Sequence, residues 1–270
     1  MTHNPTTENL AVFCDFENVA LGVRDAKFAV FDIQKVLERL LLKGSIVVKK
    51  AYCDWERYKE FKGPMHEAAF ELIEIPHVRM SGKNSADIRM VVDALDLCYT
   101  KSHVDTFVIV SGDSDFSPLV SKLRENNKVV IGVGVKNATS DLLISNCDEF
   151  IFYDDLVRDK KRRSGGVRRN ESKKTSTPAP KDEDEKKQEA LNLVLETVEA
   201  LFKDRSTEDK VWGSMVKQAL KRRKPGFDET YHGFRTFGKL LEEAQTRRLL
   251  DLEHDEKSGG YIIKSFAHEE

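Results

Sequence analysis

The chain has 270 residues, enough for two modest domains with a core in each. Hydrophobic residues make up 40% and charged residues 33%, which fits folded domains joined by a solvated linker, and the formal net charge of -2 means that any affinity for a polyanion must come from a local patch. The polar stretch 1–9 lacks the apolar centre of a secretory signal and no apolar run approaches a membrane span, so the expectation is a soluble, cytoplasmic protein with no membrane partner.

Residues 1–9 read as a tail. From 10 to 155, short β-branched or aromatic runs alternate with amphipathic stretches. Runs 10–14, 46–52, 107–110, 129–133 and 150–152 predict buried strands, and 72–78 predicts another that Pro76 confines to an edge or bend. Residues 31–43 carry Val36, Leu37, Leu40 and Leu41 at helical spacing, with Gly44 placed as a C-cap. Ile88, Val91, Val92 and Leu95 predict a helix over 87–98, and 118–126 a further one. Strand and helix in alternation predict an α/β domain: a mostly parallel, Rossmann-like sheet flanked by helices.

Residues 156–187 break that pattern. Arg158, Lys160, Lys161, Arg162, Arg163, Arg168 and Arg169 make a basic run, followed by Ser, Thr and Pro and then an acidic stretch at 182–185. Such a segment cannot bury enough apolar surface to fold, so it reads as a charged flexible linker able to hold phosphates loosely. Over 188–265 the helical pattern returns. Leu191, Leu195, Val198 and Leu201 mark one helix, 211–220 a second and 233–248 a third, and residues 250–252 and 261–263 read as a hairpin around a 257–260 turn. Three helices and a β-wing describe a small winged-helix module, a frequent docking surface for nucleic acid or protein. Residues 266–270 are a tail.

The chemistry gathers in the acids. The first strand delivers Asp15, then Phe16, Glu17 and Asn18, at its C-terminal end, where parallel sheets bind ligands. The strand at 107–110 runs into Ser111, Gly112, Asp113, Ser114 and Asp115, with Gly112 allowing a tight turn and Pro118 fitting a first helical turn. Asp87 falls near a helix start that Asn84 or Ser85 can cap, whereas Asp93 and Asp96 read as helix-face carboxylates. Carboxylates brought together repel unless a cation sits among them. Hard oxygen donors favour Mg²⁺ or Mn²⁺, which activate water and stabilise the leaving oxygen of a phosphodiester. Cys14, Cys53, Cys98 and Cys147 form no CxxC pair and read as reduced core thiols, which removes a zinc site.

Together, Asp15-Phe16-Glu17-Asn18, Lys83 ahead of Asp87, and Ser111-Gly112-Asp113-Ser114-Asp115-Phe116 resemble the NYN domain, a family that includes LabA-like proteins and has a PIN-like nuclease fold. The likeness continues through Thr139-Ser140, Leu143 and Cys147-Asp148-Glu149-Phe150, over roughly 10–155. It implies catalytic and metal-ligand roles for Asp15, Asp87, Asp113 and Asp115. Asn18 would orient water or metal, Lys83 would meet phosphate, and Ser114 and Thr139, with Ser111, would position the substrate; Asp141 and Asp148 stay open. The residues Pro225, Phe227-Asp228, Tyr231, Gly233-Phe234, Phe237, Leu240-Leu241 and Gly260-Tyr261-Ile262-Ile263 resemble the OST-HTH, or LOTUS, winged-helix domain. That likeness implies binding of RNA or of a protein partner, with Lys217, Lys221, Arg222, Arg223 and Lys224 as a basic edge for phosphate.

The expectation is therefore a Mg²⁺- or Mn²⁺-dependent ribonuclease acting on single-stranded RNA. The alternative is an RNA-binding regulator that keeps the fold without turnover, and a homodimer stays open because PIN-like nucleases often pair. Haloacid-dehalogenase chemistry needs a second aspartate two positions after the first, where this chain has Glu17; a Toprim-like domain fits the Asp15–Asn18 element badly.

Overall fold

The computed structural model describes residues 8–28, 30–75, 85–157, 181–204, 210–255 and 258–266, and the chain divides into two compact units, Met1–Val167 and Arg168–Glu270. In the first unit, β1 (Glu8–Asp15), β2 (Gly44–Cys53), β3 (Glu71–Glu74), β4 (Thr106–Val110), β5 (Val129–Gly134) and β6 (Glu149–Phe152) form one sheet in the order β3-β2-β1-β4-β5-β6. Every pairing is parallel. Parallel neighbours require crossovers, supplied here by α1 (Phe16–Asp25), α2 (Ile33–Leu41), α3 (Lys59–Glu67), α4 (Ser85–Thr100), α5 (Ser117–Glu125) and α6 (Asp141–Asn146).

Alternation along β1 sorts the layers. Leu10, Val12 and Cys14 enter one core with Val19 and Val23 of α1 and with Val36 and Leu40 of α2. Ala11 and Phe13 enter the opposite core with Met90 and Ala94 of α4 and with Leu119, Val120 and Leu123 of α5. The rings of Phe13 and Phe107 lie nearly parallel across the β1–β4 pair, their centroids 6.0 Å apart. The six-stranded parallel sheet agrees with the expected α/β class. The chain builds outward from β1 through β2 to β3, then returns to lay β4 on the other side of β1, so the strand order reverses between β1 and β4. In doubly wound sheets that reversal opens a crevice at the carboxyl ends of the two strands.

Several boundaries differ from expectation. The helix expected over 31–43 is Ile33–Leu41, because the Asp32 side chain accepts the Gln34 N–H at 3.1 Å and caps it. Gly44 is not its C-cap but the first residue of β2, where an added Cβ would stand 2.2 Å from the Glu8 carbonyl oxygen. Helices α1, α3 and α6 escaped the sequence reading: α1 follows β1 with no intervening loop, α3 contains Gly63 and Pro64, and α6 has only 6 residues. β3 is at the sheet edge and ends at Glu74; Pro76 lies outside the described residues.

The second unit contains α7 (Lys181–Asp204), β7 (Val211–Trp212), α8 (Gly213–Arg223), α9 (Phe237–Thr246), β8 (Leu250–Asp255) and β9 (Gly260–Phe266). Its three strands form an antiparallel sheet in the order β7-β9-β8. Leu191, Val194, Val216, Leu220, Phe237, Leu240, Leu241 and Ile263 meet in its core. α7 takes in 181–187, which composition placed in the linker: Glu, Lys and Gln are good helix formers, and Asp184 and Glu185 suit the positive end of a helix. Residues 211–212 do not open a helix but form β7, with Val211 opposite Ile263 and Trp212 opposite Ile262. The third helix starts at Phe237 rather than 233, since Gly233 has φ +85° and the Thr236 hydroxyl caps it by accepting the Lys239 N–H at 3.2 Å. The basic run at 158–169 lies outside the described residues.

Because the obstacle beside Gly44 is the backbone of β1, relief requires the two strands to part. Gly44→Ala is expected to destabilise the folded chain by about 1–3 kcal/mol, read as a lower urea midpoint at unchanged slope.

Candidate active site at the sheet reversal

β1 and α1 meet at Asp15, which is the last strand residue and the helix N-cap at once. Its carboxylate, 7% exposed, accepts the Asn18 N–H at 3.4 Å through Oδ1 and the Ser111 hydroxyl at 3.0 Å through Oδ2. Ser111 Oγ in turn accepts the Asp113 N–H at 3.2 Å. The Asn18 side-chain oxygen accepts the Gly112 N–H at 2.8 Å. Two cross-links therefore join the end of β1 to the turn after β4. Gly112 is required there for close approach, since an added Cβ would stand 2.3 Å from the Ala138 carbonyl oxygen. Past it, Asp113 accepts the Asp115 N–H at 3.0 Å and caps a short 3₁₀ turn, Ser114–Phe116, that leads into α5.

Asp87, in the first turn of α4, completes the cluster. Asp15, Asn18, Asp87 and Asp113 line one cleft of about 290 Å³ with Glu17 and Asp54. Asp115 and Ser114 line instead a neighbouring hollow that shares Asp87 with the cleft. Asn18 uses its oxygen to hold the Gly112 backbone, and Thr139 donates its hydroxyl to the Val135 carbonyl at 2.7 Å. Lys83 and Asn84 lie outside the described residues. Lys221, Arg222 and Arg223 belong to α8 of the second unit, where the Arg223 guanidinium donates to the Glu196 carbonyl at 3.3 Å. Asp93 receives Tyr52, Arg89 and Lys50, as a structural carboxylate should. Asp148 accepts the Val130 N–H at 2.8 Å and pairs with Arg124.

The sequence reading missed Asp54 and gave Glu17 no role. Asp54 directly follows β2, so the strand-end rule that found Asp15 would have found it too. Glu17 pairs with Arg57 at 3.0 Å on the cleft's edge.

The family model of the NYN domain matches residues 9–154. The chain belongs to the NYN domain family. Its NYN domain is 27% identical over 150 residues to Meiosis regulator and mRNA stability factor 1 of Xenopus tropicalis, a match covering 56% of this chain and 9% of that protein. An uncharacterized protein of Methanocaldococcus jannaschii is 28% identical over 120 residues, covering 44% of this chain and 47% of that one. The crystal structure of a Vibrio parahaemolyticus protein of unknown function superposes with a TM-score of 0.51 at 28% identity, covering 57% of this chain and 98% of that one. The chain thus spans a small part of the first relative and about half of the second. Among the described residues, no helix is long and apolar enough to cross a membrane.

Electrostatics in the NYN cleft are unfavourable to the free protein. Burial pushes the Asp15 carboxyl up to about 7, helped by the charges of Asp87 and Asp113 and opposed by the Ser111 and Asn18 hydrogen bonds. Burial, then Asp113, Asp115 and Glu17, push Asp87 up to about 6. Among the described residues, no group of three or more histidine, cysteine or acidic side chains stands close enough together to hold a metal ion.

A raised carboxyl pKa means that the folded chain holds protons the unfolded chain has released. Stability contributed by Asp15 is therefore fully present below its ordinary 3.8, falls as pH rises, and is lost above about 7. In EDTA, Asp15→Asn is expected to raise the Tm at pH 7.5, with a gain that shrinks toward pH 4. A Tm difference between variant and wild type that is the same at both pH values would show that the Asp15 charge does not oppose folding.

Proposed function

We propose that the chain is a Mg²⁺- or Mn²⁺-dependent ribonuclease that hydrolyses phosphodiester bonds in single-stranded RNA, with its active site in the NYN domain. The observation carrying this reading is the convergence of Asp15, Asp87 and Asp113, from three separate segments, on one cleft at the reversal of the sheet. These carboxylates, bordered by Asp115, are the candidate metal ligands. The bound ion would activate water and stabilise the leaving oxygen. Ser111 and the Asn18 N–H fix the orientation of both Asp15 oxygens, so this carboxylate need not reorganise when substrate arrives. Asn18 and Gly112 keep the Asp113 turn against β1. Lys83, Ser114 and Thr139 are carried from the family resemblance as substrate-side positions.

We also assign the second unit to the OST-HTH/LOTUS winged-helix type, serving to bind RNA or a protein partner. Its order of helix, short strand, two helices and hairpin around a three-stranded antiparallel sheet supports this reading. Lys221, Arg222 and Arg223 fill the last turn of α8 and form its basic edge.

Labelled single-stranded RNA and DNA, incubated with the full chain with and without Mn²⁺, test the proposal. Metal-dependent RNA cleavage is expected, falling more than about 100-fold in Asp113→Asn while the protein stays folded. Tight RNA binding by the wild type without cleavage in any metal would turn the assignment to a non-catalytic RNA-binding protein. For the second unit, replacing Lys221 and Arg222 together by alanine is expected to flatten the dependence of log affinity on log salt by about 1–2 units; an unchanged slope would remove this edge from the RNA path.

A further inference from the structure

The hollow beside the acid cleft has a composition that metal chemistry does not explain. It measures about 660 Å³, within the usual range for small-molecule sites. Asp87 and Asp115 stand at its border, and its walls combine Ile88, Pro118 and Leu142 with Ser114, Ser117 and Ser121. Ile88 and Leu142 are 64% and 56% exposed, so the hollow presents apolar surface to solvent directly beside the acids. Ser117, another wall residue, is 6% exposed, and its hydroxyl oxygen is buried with no hydrogen-bond partner. A buried hydroxyl in that condition is available to water or to a ligand.

We propose that this hollow is the subsite for an unpaired nucleobase of the strand whose backbone lies in the acid cleft. The inference rests on the nuclease reading and adds a substrate contact to it. Three features select a base over other occupants. Most of the carboxylates, and with them the proposed metal ion, lie in the cleft, so the sugar–phosphate chain is drawn to that side and the less acidic hollow is left to an uncharged group. The flat faces of a base match walls made of Ile88, Pro118 and Leu142, which lose water on contact. The edge of a base presents both donors and acceptors, and the Ser117 hydroxyl can meet either. A duplex keeps its bases stacked inside, so a subsite to one side of the scissile backbone selects single strands. The hollow shares Asp87 with the cleft, which ties the occupants of the two to one strand.

The test measures affinity of the full chain, in Ca²⁺ to hold back cleavage, for a labelled 12-nucleotide RNA and for a base-free ribose-phosphate oligomer of the same length. The variants are Ile88→Ser combined with Leu142→Ser, Ser117→Ala, and, as a control, Leu42→Ser, an exposed leucine that does not line the hollow. The wild type should prefer RNA. The double variant should lose about fivefold or more of its RNA affinity and none of its affinity for the base-free oligomer, while Leu42→Ser changes neither. Ser117→Ala should weaken RNA binding without lowering the Tm, because the free protein makes no hydrogen bond there. An equal loss on both oligomers, or an unchanged preference for RNA in the double variant, overturns the subsite and leaves the nuclease reading intact. If the wild type neither binds nor cleaves RNA, both fall.

Discussion

Within a parallel sheet the backbone polar groups of the inner strands are committed to their neighbours and both faces are covered by helices, so polar chemistry has room chiefly where those strands end. The reversal between β1 and β4 makes that room. From β1 the chain leaves through α1 toward one core, whereas α4 and α5 cover the other core, and the carboxyl ends of the two strands are left side by side. Asp15 ends the first strand and Asp113 follows the second. The hydrogen bonds from Ser111 to Asp15 and from Gly112 to Asn18 then close the gap between two turns 94–96 residues apart in sequence. That adjacency sets Asp15 against Asp113, while Asp54 reaches the cleft from the end of β2 and Asp87 from the first turn of α4.

Much of this was legible in the sequence because the signals are local. Buried strands such as 107–110 and 129–133 are short, β-branched and continuous, and Asp15 and Asp113 lie where such runs stop. Asp87 was legible as a helix-start residue. What escaped was set by partners distant in sequence. Gly44 resembles a helix cap by position, and only its contact with the Glu8 backbone shows it to be the start of a strand. Val211 and Trp212 look like the beginning of an amphipathic helix until Ile262 and Ile263 are placed opposite them. Thr139 fits a family motif, yet its hydroxyl serves the Val135 carbonyl. Asp54 carries a signal of the same kind as Asp15 and was within reach of the same rule.

The clearest mark of function is a contrast among carboxylates within one domain. Asp93, on α4, receives a tyrosine hydroxyl at 2.9 Å, Arg89 at 3.0 Å and Lys50 at 3.5 Å. Asp148 has a backbone N–H and Arg124. The fold thus supplies cations to acids whose task is structural. Asp15 is more deeply buried than Asp93 or Asp148, yet its partners are a serine hydroxyl and a backbone amide, and its charged neighbours are other acids. Among the described residues neither Asp15 nor Asp87 pairs with a lysine or arginine. A protonated Asp15 would relieve the repulsion but would give up much of its power to hold a cation. The arrangement is therefore costly to the folded chain at neutral pH, and a fold that tolerates such a cost at one strand end while neutralising its other acids marks that end as the place of function.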